Sequence, residues 1–455
     1  REVEPVSPDA HGRFLVAWQG IGSERRGLEA LLDAVEQLQG ASLPFSVLER
    51  EVLPARVAGY QPALLDTLMA AGEVVWAGVE SLGDRDGRIA LYLTDHMARL
   101  RAPVSSPAAA GVDGRSGEIV SYLKSHGASF FAAIHEGTGG GFPGETVSAL
   151  WALVWKGLVT NDTLHALRAL ISDTATKPAK RGRPTPFRSR RLVPPTAEGR
   201  WSLVDAPRAS RSATTEWSTA IAHQLLARHG VVTRETTAHE PVAGGFSIVY
   251  QVLKAMEDAG RVRRGYFVSG LGAAQFAMPA ALDSLRSLRD PPEQFKAVVL
   301  SATDPASPYG SLLKWPSSAW AEDIAQLESR DSAASADGGR GPTRTAGGLV
   351  VLVDGYAGGY LRRGERELLL FMTAAEPTRS RATQAVARAL VRMSAAREEG
   401  RRGMLLTDID GIPATSHPAA THFIAKGFIP TAMGLQLKPV RGQTAGDADA
   451  QPPAQ

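Results

Sequence analysis

The sequence contains no cysteine, which excludes disulfides, thiolate zinc sites, iron–sulfur clusters and a cysteine nucleophile. It fits a reducing compartment without requiring one. Aromatic residues are sparse, at 6%. No apolar run approaches the roughly 20 residues that cross a bilayer, and no secretory signal is visible, so a membrane is not among the expected partners. The chain opens Arg1-Glu2-Val3-Glu4 instead of on methionine and reads as a piece of a longer polypeptide, cytoplasmic and nucleoid-associated by expectation.

Several site signatures are also missing. Gly139-Gly140-Gly141-Phe142-Pro143-Gly144-Glu145-Thr146 has a glutamate where a phosphate loop needs lysine, and no strand precedes it. Gly270-Leu271-Gly272 lacks the third glycine of a dinucleotide turn. His135-Glu136 has no second histidine four residues on, and His417 and His422 are five positions apart, a poor fit to one helical face. The ten histidines are therefore expected as surface or capping residues, with no metal and no cofactor in this chain.

What is present fits a soluble chain of 455 residues in three or four domains, 44% hydrophobic and 21% charged. Its net charge is only +3, but the cations are unevenly placed. Lys177, Lys180, Arg181, Arg183, Arg188, Arg190 and Arg191 follow one another with no acid among them and with Pro178, Gly182, Pro184 and Pro186 interleaved. This predicts an extended basic linker, over 174–198, able to lie along phosphates.

One pattern occurs three times: Leu65-x-x-Leu68-x-x-x-Gly72-x-Val74, Leu150-x-x-Leu153-x-x-x-Gly157-x-Val159 and Leu253-x-x-Met256-x-x-x-Gly260-x-Val262. Apolar residues three apart share a helix face, a glycine four residues later ends the helix in the left-handed region, and a β-branched residue begins a strand. Each copy reads as helix, tight stop, strand. Ahead of the first copy, Leu28, Leu31, Leu32, Val35 and Leu38 form an earlier stripe with Ser23 as its expected N-cap, and Pro62 can open the repeat helix. Ile89, Leu91 and Leu93 alternate on a return strand. The second copy has helices over Ile119–Leu123 and Phe130–Ile134 but no evident return strand. The third has a helix over Glu216–His229, a repeat helix over Gly245–Ala259, and a hairpin bearing Arg261, Arg263 and Arg264. Helices followed by a hairpin are the plan of a winged helix, in which the last helix and the wing meet DNA. The expected modules are 1–110, 111–173 and 199–289.

Beyond Asp290-Pro291-Pro292 the pattern changes to strands over 297–300, 349–353, 356–361, 367–371, 404–410 and 434–437, with helices over 379–398 and 418–426. This predicts an α+β domain over 290–440, barrel-like, with Ser329–Gly348 and the tail from 441 disordered. Asp408 and Asp410 flank Ile409, so on a strand both carboxylates would face one side and act as an acid/base pair. Asp304 also ends a strand. The alternative for these acids is turn chemistry, as in Asp410-Gly411 and Asp354-Gly355.

Longer stretches resemble the C-terminal region of large helicase-related (Lhr) proteins, bacterial superfamily 2 DNA repair helicases. They include Gly12-Arg13-Phe14-Leu15 with Trp18-Gln19-Gly20, Gly140 to Asp162, Gly199-Arg200-Trp201-Ser202-Leu203, Gly244-Gly245-Phe246 through Tyr250 to Arg263–Val268, and Ala302-Thr303-Asp304-Pro305 with Trp315-Pro316. The resemblance implies tandem winged helices plus a β-barrel similar to AlkZ-type DNA glycosylases. It also implies a motor upstream that alone holds ATP and Mg, DNA (single-stranded or duplex) as partner, homo-oligomer formation, and uracil excision through an aspartate. No Gln-x-Gln or Gln-x-Asp motif of the AlkZ kind stands in the barrel region. Two functions remain open: a non-catalytic DNA-binding and assembly region, or a glycosylase that flips a base, with Tyr309, Trp315 and Phe276 as wedge candidates.

Overall fold

The structure, a computed structural model, describes residues 4–103, 112–172, 193–204, 209–240, 242–318, 320, 341–371, 375–396 and 403–439. The chain divides into two units: Leu15–Arg286 with Arg1–Pro5 and Asp304–Ala306, and Val6–Phe14 with Ser287–Thr303 and Ser307–Gln455.

After α1 (Pro8–Trp18), the first unit repeats one plan three times. The first module is α2 (Gly27–Leu38), β1 (Leu43–Pro44), a short α3 (Phe45–Val47) continued by a π-helical turn (Leu48–Val52), α4 (Pro62–Ala70), β2 (Val74–Ser81) and β3 (Gly87–Leu93), with α5 (Thr94–Leu100) behind it. The second is α6 (Gly114–His126), β4 (Ser129–Phe130), α7 (Phe131–Gly137), α8 (Pro143–Trp155), β5 (Val159–Asn161), α9 (His165–Ser172) and β6 (Arg200–Leu203). The third is α10 (Arg211–His229), β7 (Val231–Val232), α11 (Arg234–His239), α12 (Gly245–Asp258), β8 (Arg263–Gly265) and β9 (Gln275–Ala277), with α13 (Pro279–Ser287) behind it. The sheets run β1-β3-β2, β4-β6-β5 and β7-β9-β8, so in each the last strand lies in the centre. This is the winged-helix topology, three times over.

The repeated sequence pattern falls on α4, α8 and α12, and its chemistry is the same in each. Gly72, Gly157 and Gly260 have φ of 78°, 68° and 70°. The following N–H reaches back to the carbonyl five residues earlier, Glu73 to Leu68, Leu158 to Leu153 and Arg261 to Met256. This is the Schellman stop. The apolar positions Leu65, Leu68, Leu150, Leu153, Leu253 and Met256 are all buried. One expected cap differs: α2 begins at Gly27, and the Ser23 hydroxyl instead accepts the Arg25 N–H inside the preceding loop.

The second module corrects the expected boundaries. Its missing return strand is β6, which pairs with β4 and β5. Gly199 therefore does not open the third module, and the segment expected as an inter-module linker lies in the chain between the two wing strands of the second module. Its seven cations, Lys177 to Arg191, lie outside the described residues.

The modules lock together through glycine and arginine. A Cβ on Gly78 of β2 would lie 2.2 Å from the Val154 carbonyl oxygen of α8, and one on Gly87 would lie 2.2 Å from the Trp155 ring. Arg168 of α9 grips Glu49 (2.7 Å) and Asp66 of α4 (2.8 Å). Ala220 and Ile221 of α10 also pack against Ala77, Ala90, Tyr92 and Leu100 of the first module.

The second unit is built on β10 (Ala297–Ser301), β11 (Leu349–Val353), β12 (Tyr356–Leu361), β13 (Glu367–Leu370), α14 (Thr378–Ala396), β14 (Met404–Leu406), β15 (Asp408–Ile409), β16 (Ile412–Pro413), α15 (Ala420–Ile424), β17 (Ile429–Thr431) and β18 (Gly434–Leu437). One sheet runs β10-β11-β12-β13-β15-β16 and a second runs β14-β18-β17. The fold is mixed α+β, and no closed barrel is found among the described residues. The apolar stripe of α14 (Ala382, Val386, Ala389, Leu390) joins Val351, Leu361, Leu368, Phe423 and Leu435 in its core. The expected strand over 404–410 is broken: Met404–Leu406 belongs to one sheet and Asp408–Ile409 to the other. Residues 341–348, expected as disordered, are tied in, with Arg344 Nη1 donating to the Ser307 and Tyr309 carbonyls. The rest of the disorder expected over 329–340 and from 441 falls outside the described residues.

Candidate nucleic-acid interface

In a winged helix the third helix enters a groove and the wing lies on the backbone, so the three third helices can be compared directly. On α4, the exposed positions Pro62, Ala63, Thr67 and Ala70 carry no cation, and Asp66 is held by Arg168. On α8, the exposed positions Gly144, Glu145, Ser148 and Ala152 carry one acid and no cation, while its C-terminal end packs on β2. On α12, Ser247, Gln251 and Lys254 are exposed at i, i+4 and i+7, one face of the helix, with Asp258 at its end. Only this face combines hydrogen-bonding side chains with a cation.

The wing of the third module adds to it. Arg261 and Arg263 are exposed. On β8, Arg263 stands opposite Ala277 and Arg264 opposite Phe276, so the two arginines project to opposite sides of the sheet. Arg264 is turned onto α12, where Nη1 donates to the Tyr250 hydroxyl (3.2 Å) and Nε lies 3.3 Å from Glu257. Arg263 makes no such bond among the described residues. All three arginines of the hairpin are exposed, and they differ in their partners: Arg264 also braces the wing against the helix. Burial, then the nearby Arg261, depresses the His223 pKa on α10, so His223 adds no charge here at neutral pH. Tyr266, 44% exposed, closes the wing by accepting the Gly270 N–H at 3.0 Å. The Gln275 carboxamide, fully buried, holds the same turn from within by accepting the Phe267 and Val268 N–H groups.

The three nominated aspartates occupy different settings. Asp304 is buried in the first unit and takes a two-pronged bond from Arg56, Nη1 to Oδ2 at 2.9 Å and Nη2 to Oδ1 at 2.8 Å. Arg56 also reaches the Val52 carbonyl and Gln19. Asp410 has φ of 51° and, with Gly411, makes the turn from β15 to β16. Its Oδ1 accepts the Leu370 N–H (2.8 Å), and its Oδ2 lies 3.3 Å from both the Ser318 hydroxyl and His417 Nε2. Asp408 is half-buried, opposite Glu367, and its Oδ2 accepts the Thr407 hydroxyl at 2.6 Å. The left-handed turn at Asp410 ends the strand, so Asp408 and Asp410 do not share one strand face.

Two histidines depart from expectation, His11 and His229, which are buried; His417 is buried too, but it caps the turn ahead of α15. His229 pairs with Glu240, which also binds Arg228. His417 Nδ1 accepts the Ala419 N–H at 3.0 Å. Among the described residues no group of three or more acids and histidines could hold a metal ion. No helix of the described residues is long and apolar enough to cross a membrane. The wedge candidates are packed inward, with Phe276 at 0% and Tyr309 at 2% exposure and Trp315 half-buried against Tyr309, Tyr360 and Phe371. Among the described residues the large exposed rings are instead Phe142 (71%), Phe130 (62%) and Tyr266. Sequence reasoning passed these over because Phe142 and Phe130 sit at helix starts, where the apolar pattern does not distinguish a core residue from an outward one.

Two family models, each described as a large helicase-related protein winged-helix domain, match residues 6–94 and 211–297. The chain is 41% identical over 400 residues to the Lhr helicase/probable uracil glycosylase of Mycolicibacterium smegmatis, covering 84% of this chain and 25% of that protein. It is 34% identical over 467 aligned positions to the Lhr helicase/uracil glycosylase of Escherichia coli, covering 95% and 28%. It thus spans about a quarter of the length of these curated relatives. Among solved structures, the Streptomyces sahachiroi DNA glycosylase AlkZ aligns over 85% of this chain and 97% of its own at a TM-score of 0.43 and 15% identity.

Proposed function

The chain belongs to the large helicase-related family, and we propose that it is the DNA-binding C-terminal region of such a protein, with the third winged-helix module making the principal contact. The observation that carries this reading is the difference between the third helices. The α12 face presents Ser247, Gln251 and Lys254 beside the exposed Arg261 and Arg263, whereas α4 and α8 offer no exposed cation on theirs. Gln251 and Ser247 have the donors and acceptors that read base edges, and the arginines suit phosphates. The seven cations from Lys177 to Arg191 would strengthen backbone contact through counterion release. In this reading an ATP-driven motor elsewhere in the same polypeptide supplies movement, and this region supplies grip and a surface for assembly of several copies.

Both relatives carry uracil glycosylase in their names, and base excision belongs to the proposal for this chain. Asp304 and Asp410 are committed to a guanidinium and to a turn. Asp408, bonded only to a neighbouring hydroxyl among the interactions described, is the nominated acid free to activate water or to stabilise an oxocarbenium-like sugar. The purified chain incubated with uracil-containing single- and double-stranded DNA, then with alkali, should yield strand cleavage that Asp408→Asn abolishes without changing DNA affinity. Cleavage that survives this substitution removes Asp408 from the role. The absence of abasic product at high protein leaves the non-catalytic, binding reading.

A further inference from the structure

The second module carries an exposed feature that its third helix does not explain. Strand β4 is two residues long and runs antiparallel to β6, with Ser129 opposite Trp201 and Phe130 opposite Arg200. Successive strand residues point to opposite faces, so Trp201, fully buried, fills the core, while Arg200 and Phe130 share the outer face. The switch is abrupt: Phe130 is 62% exposed and the next residue, Phe131, is 2% exposed. Directly opposed residues in such a pair hold their Cβ atoms about 4.5–5.5 Å apart. Asp162 directs its Oδ1 to the Arg200 main-chain N–H at 2.7 Å, and the guanidinium has no ion-pair partner among the described residues.

A partner for this pair must satisfy both halves. An apolar protein surface would cover the ring but bury an unpaired guanidinium, at heavy desolvation cost. A purely anionic surface would suit the cation and leave the ring in water. A nucleic-acid strand with unstacked bases offers a flat π face and, one backbone step away, a phosphate. In a duplex the base faces are closed by stacking, so a ring on a short strand has nothing to lie against.

We propose that Phe130 and Arg200 form a single-strand contact in which one unpaired base stacks on the Phe130 ring and its flanking phosphate pairs with Arg200. The proposal rests on the DNA-binding reading above and adds to it a strand form and a second point of contact.

The full chain, titrated with labelled oligo(dT) and with a blunt duplex of equal length, tests it. Phe130→Ala should weaken oligo(dT) binding by about 5- to 150-fold, the range that base–aromatic stacking of about 1–3 kcal/mol provides, and leave duplex binding within about twofold. Phe130→Trp should retain oligo(dT) affinity, and the emission it adds should be quenched when oligo(dT) binds. The proposal is overturned if Phe130→Ala leaves oligo(dT) affinity unchanged, if it weakens both DNAs equally, or if the added tryptophan emission ignores bound oligo(dT). An Arg261→Gln/Arg263→Gln variant separates the two claims. Loss of duplex binding there with an inert Phe130→Ala keeps the DNA-binding function and removes this contact. A chain that binds neither DNA removes both.

Discussion

At the residue scale, the buried charges of this chain act as structural bolts. Arg56 and Asp304 are both buried, at 4% and 1% exposure, and their two-pronged bond answers most of the polarity that each brings inside. Removing one partner leaves the other buried and unpaired, which costs about 3–5 kcal/mol. Asp304→Ala should therefore lower the melting temperature by on the order of 10 °C. The Arg56→Met/Asp304→Leu pair should fall less than the sum of its singles. Equal melting of wild type and Asp304→Ala would refute the bolt and return Asp304 to the list of available acids. Glu240 gives a second case. Burial opposes its charge, but Arg228 and His229 outweigh that and hold the carboxyl below its ordinary 4.5. A depressed carboxylate contributes stability that is full above about pH 4.5 and is lost as pH falls below it. Urea midpoints should then drop between pH 5 and pH 3 in the wild type, and the drop should shrink in Glu240→Gln, which should also be less stable at pH 7.

At the scale of elements, the repeat was legible because it is local physics. Apolar spacing, a left-handed glycine and a β-branched residue leave their mark within a dozen positions, and Gly72, Gly157 and Gly260 adopt the conformation that the pattern requires. The strands and long helix of the second unit were legible for the same reason. What escaped the sequence was non-local. β6 returns to its sheet only after α9 and a long basic segment, so Arg200-Trp201-Ser202-Leu203 looked like the opening of a new module. Asp408 and Asp410 looked like one strand face because alternation cannot announce the left-handed turn at Asp410. The bracing role of Arg264 was invisible until Glu257 and Tyr250 were placed beside it. The inter-module contacts were equally hidden, and Gly78 illustrates them. A methyl group there would meet the Val154 main-chain oxygen at 2.2 Å, which cannot rotate away, so Gly78→Ala should force α8 off β2 at a cost of about 1–3 kcal/mol. Hydrogen exchange should quicken in α8 and β5 while the third module keeps its protection. Unchanged exchange in α8 would show that the two modules do not depend on this close approach.

At the scale of the whole molecule, a net charge of +3 over 455 residues conceals how the charge is spread. Two of the three winged helices use their third helix as packing surface: α4 is bound through Asp66 to Arg168, and α8 is seated on β2. In the proposed reading, triplication has produced a scaffold in which the third module carries the recognition face. That account makes DNA affinity depend on a few exposed cations of the third module, and salt reports their number. Measurement of duplex affinity against salt concentration for the wild type and for Arg261→Gln/Arg263→Gln tests it most directly. Each lost phosphate contact should reduce the slope of log affinity against log salt by about 0.9, so the double variant should bind more weakly at low salt with a slope shallower by about 1.8. A double variant with the affinity and slope of the wild type would contradict the assignment of DNA contact to the third module.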